Sequence, residues 1–316
     1  MRALVFDEDL QFVKDYPAPV RKRGESLIRV SYAGICNTDL EISKGYMAYR
    51  GVLGHEFVGI VEETDTPGLA GKRVVGEINI ACGECDFCRA HIKTHCPNRT
   101  VLGISGRDGA MADYVVLPDE NLHEAPPGVS DEAAVFVEPL AAAFEILSQI
   151  NIRPGRRVLV LGDGKLGLLV AQVINTTGAD CRLIGRSPGK LALARRLAIA
   201  TADLQSLHPQ AADIVIDCTG SPEGLPLALR LVKPRGTVVV KTTVAAQYQI
   251  DLAPVVIHEI MVMGSRCGPF RPALSALASG TVRVKELITG VFPLEDALAA
   301  FKRALEPGAL KILLRT

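Results

Sequence analysis

Arg157-Val158-Leu159-Val160-Leu161-Gly162-Asp163-Gly164-Lys165-Leu166-Gly167 decides the fold of this chain. Val158–Leu161 reads as a buried strand, and Leu166–Thr176 reads as an apolar helix. Between them Gly162, Gly164 and Gly167 fit G-x-G-x-x-G, with Lys165 and Leu166 in the variable places. Alone the pattern is weak; behind a strand and at the head of a helix it predicts a dinucleotide site. The glycines permit a tight turn and a close approach to a pyrophosphate, which rests on the helix N-terminus.

Working outward, Cys181–Ile184 is a second strand and Gly189–Ala198 a basic-faced helix. Asp213–Asp217 and Thr237–Lys241 read as further buried strands, with a helix near Leu225–Val232. Strand and helix in alternation imply an α/β unit with a doubly wound parallel sheet. The first ~140 residues differ: short β-prone runs (Ser26–Tyr32, Glu56–Glu63, Arg73–Ile78) lie between glycine and proline turns, and a helix over Glu138–Gln149 follows. The text turns helical again after about residue 270 and ends in a short apolar strand, Leu310–Leu314.

The end of the second strand selects the coenzyme. An NAD site usually places Asp or Glu there for the ribose 2′-hydroxyl. Here the text is Ile184-Gly185-Arg186-Ser187, with no carboxylate. The Arg186 fork and the Ser187 hydroxyl suit a phosphate, which predicts NADP(H) over NAD(H). The opposing reading has Arg186 solvated, or stacked on adenine with NAD in use.

Two sets of metal-ligand residues differ in kind. Cys82, Cys85, Cys88 and Cys96 crowd into one run, and four thiolates satisfy a tetrahedral zinc with no open position. His91 or His95 is an alternative ligand within that run. Cys36, His55, Glu56 and Glu138 are scattered, and offer one thiolate, one imidazole and up to two carboxylates. Mixed ligation with an exchangeable position is what a catalytic zinc requires. Asp39 is placed to orient the imidazole. Two zinc ions per chain are therefore expected.

The 316 residues carry a formal net charge of zero, so the chain shows no electrostatic footprint for nucleic acid. No apolar run approaches the ~20 residues of a membrane span. The opening MRALVFDEDL lacks an apolar leader core, and eight cysteines without one point to the cytoplasm.

The ordered set G-I-C-N-T-D, G-H-E-F-V-G, the four-cysteine run, V-E-P-L, the glycine loop and G-S-R-C-G-P-F resembles the zinc-dependent medium-chain dehydrogenase/reductase family. The glutamate of V-E-P-L resembles the polyol dehydrogenase branch. The resemblance implies a GroES-like catalytic domain over 1–140 and 270–316, a Rossmann coenzyme domain over 141–269, and an active site in the cleft between them. It implies zinc on Cys36, His55 and Glu56, with Glu138 either direct or through water. It gives Thr38 the hydroxyl that bonds the substrate oxygen, and the cysteine run a structural zinc. The substrate would be a small alcohol or polyol, or its aldehyde or ketone, and the assembly a homodimer or homotetramer. Tyr46, Met47 and Tyr49 are candidates for the pocket wall. Glu41 and Asn37 depart from the family, at a proton-relay histidine and at a basic residue respectively. Two other readings compete: a zinc-ribbon interaction module, and a zinc-independent reductase of the same fold.

Overall fold

In a computed structural model, which describes residues 1–243 and 248–316, Val158, Leu159 and Val160 have no exposed surface. A strand apolar on both faces belongs in the middle of a sheet covered on both sides. Arg157–Leu161 is indeed central. The six strands run in the order Ala200–Ala202, Asp180–Ile184, Arg157–Leu161, Ala212–Asp217, Val232–Val240 and Met261–Gly264. All pairings are parallel. Numbered along the chain this is 3-2-1-4-5-6, the doubly wound order whose direction reverses beside the first strand. The reversal leaves a crevice at the carboxyl ends of Arg157–Leu161 and Ala212–Asp217, where the glycine loop begins.

The helix after that loop, Lys165–Asn175, buries every residue from Gly167 to Ile174. Leu225 lies in a helix, Gly224–Leu231, that stops one residue short of the expected end. Val232 instead opens a strand, since Pro234 two residues on cannot continue a helix. Sequence reading passed over the two edge strands. Ala200–Ala202 has three residues, and Met261–Gly264 is largely exposed, so neither carries a buried apolar signature.

This parallel sheet belongs to a unit of Pro139–Pro272 with Ser279–Glu286. The other unit takes Met1–Glu138, Ala273–Ala278 and Leu287–Thr316. The segment 270–316 is therefore divided rather than whole. Gln172 explains the division: its Oε1 accepts from Arg283 N at 2.9 Å and its Nε2 donates to Arg283 O at 3.0 Å.

The second unit is built on Glu25–Gly34, which pairs antiparallel with Glu56–Glu63, Tyr114–Pro118 and Lys311–Arg315. Register sets Gly34 opposite both Glu56 and Leu313. Residues near the two ends of the sequence thus meet beside one glycine. Glu56 closes the strand's buried end, and Lys311 heads the strand that arrives from the other side.

Candidate metal centres and nucleotide loop

Cys36 follows the strand Glu25–Gly34 and caps the short helix Asn37–Ile42. Asp39 folds back in that helix's first turn, and its Oδ2 accepts from Cys36 N at 2.7 Å. Its other oxygen, Oδ1, lies 3.3 Å from His55 Nδ1. That leaves the second ring nitrogen of His55 as the one free to ligate. The Cys36 sulfur, a His55 nitrogen and a Glu56 oxygen all lie within 4.8 Å of one another. His55 is 3% exposed and Glu56 fully buried.

Burial pushes the His55 imidazole down, but the facing Asp39 carboxylate and Cys36 thiolate overcome it and raise the imidazole well above its ordinary value. Asp39 Oδ1, His55 Nδ1 and Glu56 Oε1 are buried with no hydrogen-bond partner of acceptable geometry. Asp39 Oδ1 and His55 Nδ1 face each other, which leaves Glu56 Oε1 as the buried acceptor that calls for an explanation, at a cost of about 1–3 kcal/mol. Charge supplies one. With Cys36 as thiolate and His55 neutral, the form in which an imidazole ligates, the pocket holds three negative groups (Cys36, Asp39, Glu56) against Lys311. A divalent ion brings that to neutrality, and the donor set suits zinc. The residues fit the metal.

Lys311 was not singled out in the sequence. It is completely buried, its Nζ pairs with Glu56 Oε2, and it lies 5.5 Å from the centre of the Phe136 ring. A lysine at the head of the apolar run Lys311-Ile312-Leu313-Leu314 was the available signal. Gly34 makes the room: a Cβ there would meet Glu56 Oε2 at 2.7 Å.

Thr38 is half-buried, with its Oγ1 3.8 Å from Cys36 Sγ. Glu138 is half-buried in the first turn of Val137–Gln149, and the group within 4.8 Å is Cys36, His55 and Glu56. Tyr49 is buried, and its hydroxyl proton is shared between the carbonyls of Val52 (2.8 Å) and Arg107 (3.0 Å). Met47 is exposed and Tyr46 half-exposed. Glu41 pairs with Lys44 at 2.8 Å on the surface.

The four-cysteine run folds around its sulfurs. Cys85 caps the turn Asp86–Arg89, and His91 adopts a left-handed φ of 60°. Sulfur separations are 3.4 Å (Cys85–Cys88), 3.5 Å (Cys96–Cys82), 3.7 Å (Cys85–Cys96) and 3.9 Å (Cys82–Cys88). A tetrahedral zinc with Zn–S of about 2.3 Å sets S···S near ~3.8 Å, whereas a disulfide needs about 2.05 Å. The lobe has the metal's dimensions. Backbone N–H groups of Glu84 and Cys85 hold the Cys82 thiol down at about 6. Burial and the neighbouring thiols push Cys88 the other way. His91 and His95 are exposed and outside the sulfur cluster.

In the glycine loop Gly162 has φ +106°, and a Cβ there would meet Cys218 O at 2.6 Å. A Cβ on Gly167 would lie 1.9 Å from Gly162 O, so only glycine lets helix and strand approach this closely. Around Gly164, which caps the helix Lys165–Asn175, there is open space. These are the three separate glycine roles of a pyrophosphate cradle. At the second strand's end Arg186 is exposed, and Ser187 Oγ caps the helix Pro188–Arg196 by accepting from Lys190 N at 3.4 Å. Gly185 is half-buried. The expectation that no carboxylate stands here is corrected. Asp163, inside the glycine loop, reaches across so that its Oδ2 accepts from Arg186 N (2.8 Å) and Ser187 N (2.7 Å).

Comparison with known proteins agrees with this arrangement. The family model for the alcohol dehydrogenase GroES-like domain matches residues 22–127, and that for the zinc-binding dehydrogenase matches residues 166–279. A sorbitol dehydrogenase of Halalkalibacterium halodurans is 31% identical over 96% of this chain and 94% of its own. D-xylulose reductase A of Aspergillus oryzae is 30% identical over 95% and 92% respectively. An alcohol dehydrogenase of Thermus sp. ATN1 superposes with a TM-score of 0.91 at 30% identity, over the whole of both chains. A Sinorhizobium meliloti protein solved with NADP bound gives 0.91 at 28%, over 100% of this chain and 99% of its own. The chain belongs to the zinc-dependent medium-chain dehydrogenase/reductase family. It is an oxidoreductase that uses zinc and a nicotinamide coenzyme, acting on alcohols or polyols and the matching carbonyls.

Proposed function

We propose that this chain interconverts a polyol and its keto sugar with NADP(H) as the preferred coenzyme, one zinc serving catalysis and a second serving structure. The observation that carries the reading is the convergent trio of half-buried Cys36 with buried His55 and Glu56, its orphaned Glu56 Oε1 and its negative charge. The polyol substrate is supported by what the sorbitol dehydrogenase and D-xylulose reductase A relatives are named for.

When bound, zinc polarises the substrate oxygen and the nicotinamide takes or gives the hydride. The chain's own residues do the rest. Cys36 Sγ, the His55 nitrogen turned from Asp39, and Glu56 Oε1 hold the ion. Asp39 fixes the imidazole from behind, and Lys311 occupies Glu56 Oε2 so that a single oxygen is presented. Thr38 Oγ1 accepts the substrate hydroxyl proton during oxidation and passes it to water, since Glu41 is engaged with Lys44. Cys82, Cys85, Cys88 and Cys96 hold the structural ion. Gly162, Gly164, Lys165, Leu166 and Gly167 cradle the pyrophosphate, while Gly185, Arg186 and Ser187 border the 2′-phosphate.

Exposed apolar residues on the edge strand Met261–Gly264 and on the helix before it support a homodimer or homotetramer. Met261 is 59% and Val262 41% exposed on the edge strand, and Leu252, Val256 and Ile257 are more exposed still. Eight free cysteines, five of them in groups with metal-site geometry, support a reducing compartment such as the cytoplasm. Among the described residues no helix is long and apolar enough to cross a membrane.

Two measurements test the reading. Elemental analysis is expected to find two zinc ions per chain, falling to one in Cys36→Ser. A screen of alcohols, polyols, sugars and hydroxy-amino acids with NAD and NADP is expected to give its highest kcat/KM with a polyol and NADP. A single zinc in the wild type, with turnover retained, would favour the zinc-independent reductase.

A further inference from the structure

The carboxylate at the end of the second strand is the feature that the sequence pattern concealed. In nucleotide sites of this topology the acid that discriminates between coenzymes usually comes from the second strand itself. Here that strand ends in Gly185, which has no side chain to offer. A Cβ on Gly185 would meet Asp163 Oδ2, Cβ and Cγ at 2.4–2.6 Å. The two positions are fitted to each other: the space a strand-borne side chain would enter is filled by Asp163.

Asp163 also consumes donors. Its Oδ2 takes the backbone N–H groups of both Arg186 and Ser187. Paired backbone amides at a loop entering a helix are what phosphates bind. The Ser187 hydroxyl is meanwhile spent on capping its own helix. The side chain at the strand's end suited to a 2′-phosphate is the exposed Arg186 guanidinium, with the Asp163 carboxylate behind the backbone that carries it.

Resting on the nicotinamide reading above, we propose that Asp163 is a coenzyme-specificity determinant, its carboxylate opposing the 2′-phosphate that Arg186 attracts. The chain's preference for NADP(H) is thereby held to a modest ratio, and NAD(H) remains a usable coenzyme.

Asp163→Asn separates charge from shape. The amide oxygen still accepts from the loop, but the negative charge is gone. Binding is read by titrating nicotinamide fluorescence with NADPH and NADH separately, which the absence of tryptophan makes clean. The expected result is a shift of about tenfold in the NADPH-to-NADH affinity ratio toward NADPH at low salt, shrinking at about 0.5 M salt as screening removes the repulsion. Arg186→Ala is expected to move the ratio the opposite way. Equal weakening of both coenzymes by Asp163→Asn, leaving the ratio unchanged, would mean that Asp163 only braces the loop and would overturn the inference alone. Wild-type protein that binds neither coenzyme overturns the nicotinamide reading and this inference together. Should Asp163→Asn fail to fold, Asp163→Ser, which keeps a short acceptor, carries the same two expectations.

Discussion

A lysine with no exposed surface needs a reason, and Lys311 has one in Glu56. Each is the other's compensation, and removing one strands a buried charge. Lys311→Met is expected to lower the stability of the zinc-free protein by about 3–5 kcal/mol, measured by urea unfolding. An unchanged midpoint would show that Glu56 had been neutral. The cysteines give a second test at this scale. Cys82 is held at about 6, so it is thiolate at pH 7 and reverts to thiol as pH falls through that value. Burial pushes Cys181 and Cys218 up to about 12, so they stay thiols throughout. In zinc-free protein at pH 7, iodoacetamide should therefore label Cys82 well before either, with peptide mass spectrometry as the readout. Dropping to pH 5 should erase the advantage, and zinc should protect Cys82.

Elements carry the next consequence. The helix Lys165–Asn175 reaches its strand only because Gly167 has no side chain. Gly167→Ala has to push helix from strand against backbone, which does not yield as a flexible side chain does. A loss of about 3 kcal/mol is expected, in the range of overpacked cores, along with weakened coenzyme binding. Calorimetry on the free and NADPH-loaded protein would measure both, and a variant as stable as the wild type would contradict the close approach. At this scale the sequence was most readable. The strand Arg157–Leu161 and helix Lys165–Asn175 lie within one residue of where periodicity put them, because burial on every side makes their apolar runs continuous. The edge strand Met261–Gly264 was illegible for the converse reason, since an edge is exposed and mixed in character.

For the whole molecule, that edge is the testable feature. If the chain associates through that edge as proposed, Met261→Glu on the exposed strand Met261–Gly264 is expected to lower the mass seen in light scattering, with each chain's fold unchanged by circular dichroism. An assembly that survives the substitution would place the interface elsewhere. The two ligand sets also differ in legibility at this scale. Cys82, Cys85, Cys88 and Cys96 are close along the chain, so spacing alone shows a tetrahedral lobe. Cys36, His55 and Glu56 come from separate strand ends, and pairing of Glu25–Gly34 with Glu56–Glu63 is what joins them.

The sequence by itself determined the class of fold, the structural lobe and the glycine loop, because each is written in neighbours along the chain whose local physics suffices. Only the tertiary structure decided that Cys36 meets His55 and Glu56, that Lys311 takes half of Glu56, and that Asp163 supplies the carboxylate missing from the second strand. The Asp163 and Lys311 contacts join residues 23 and 255 positions apart at strand ends, and strand register, which no local pattern encodes, brings them together.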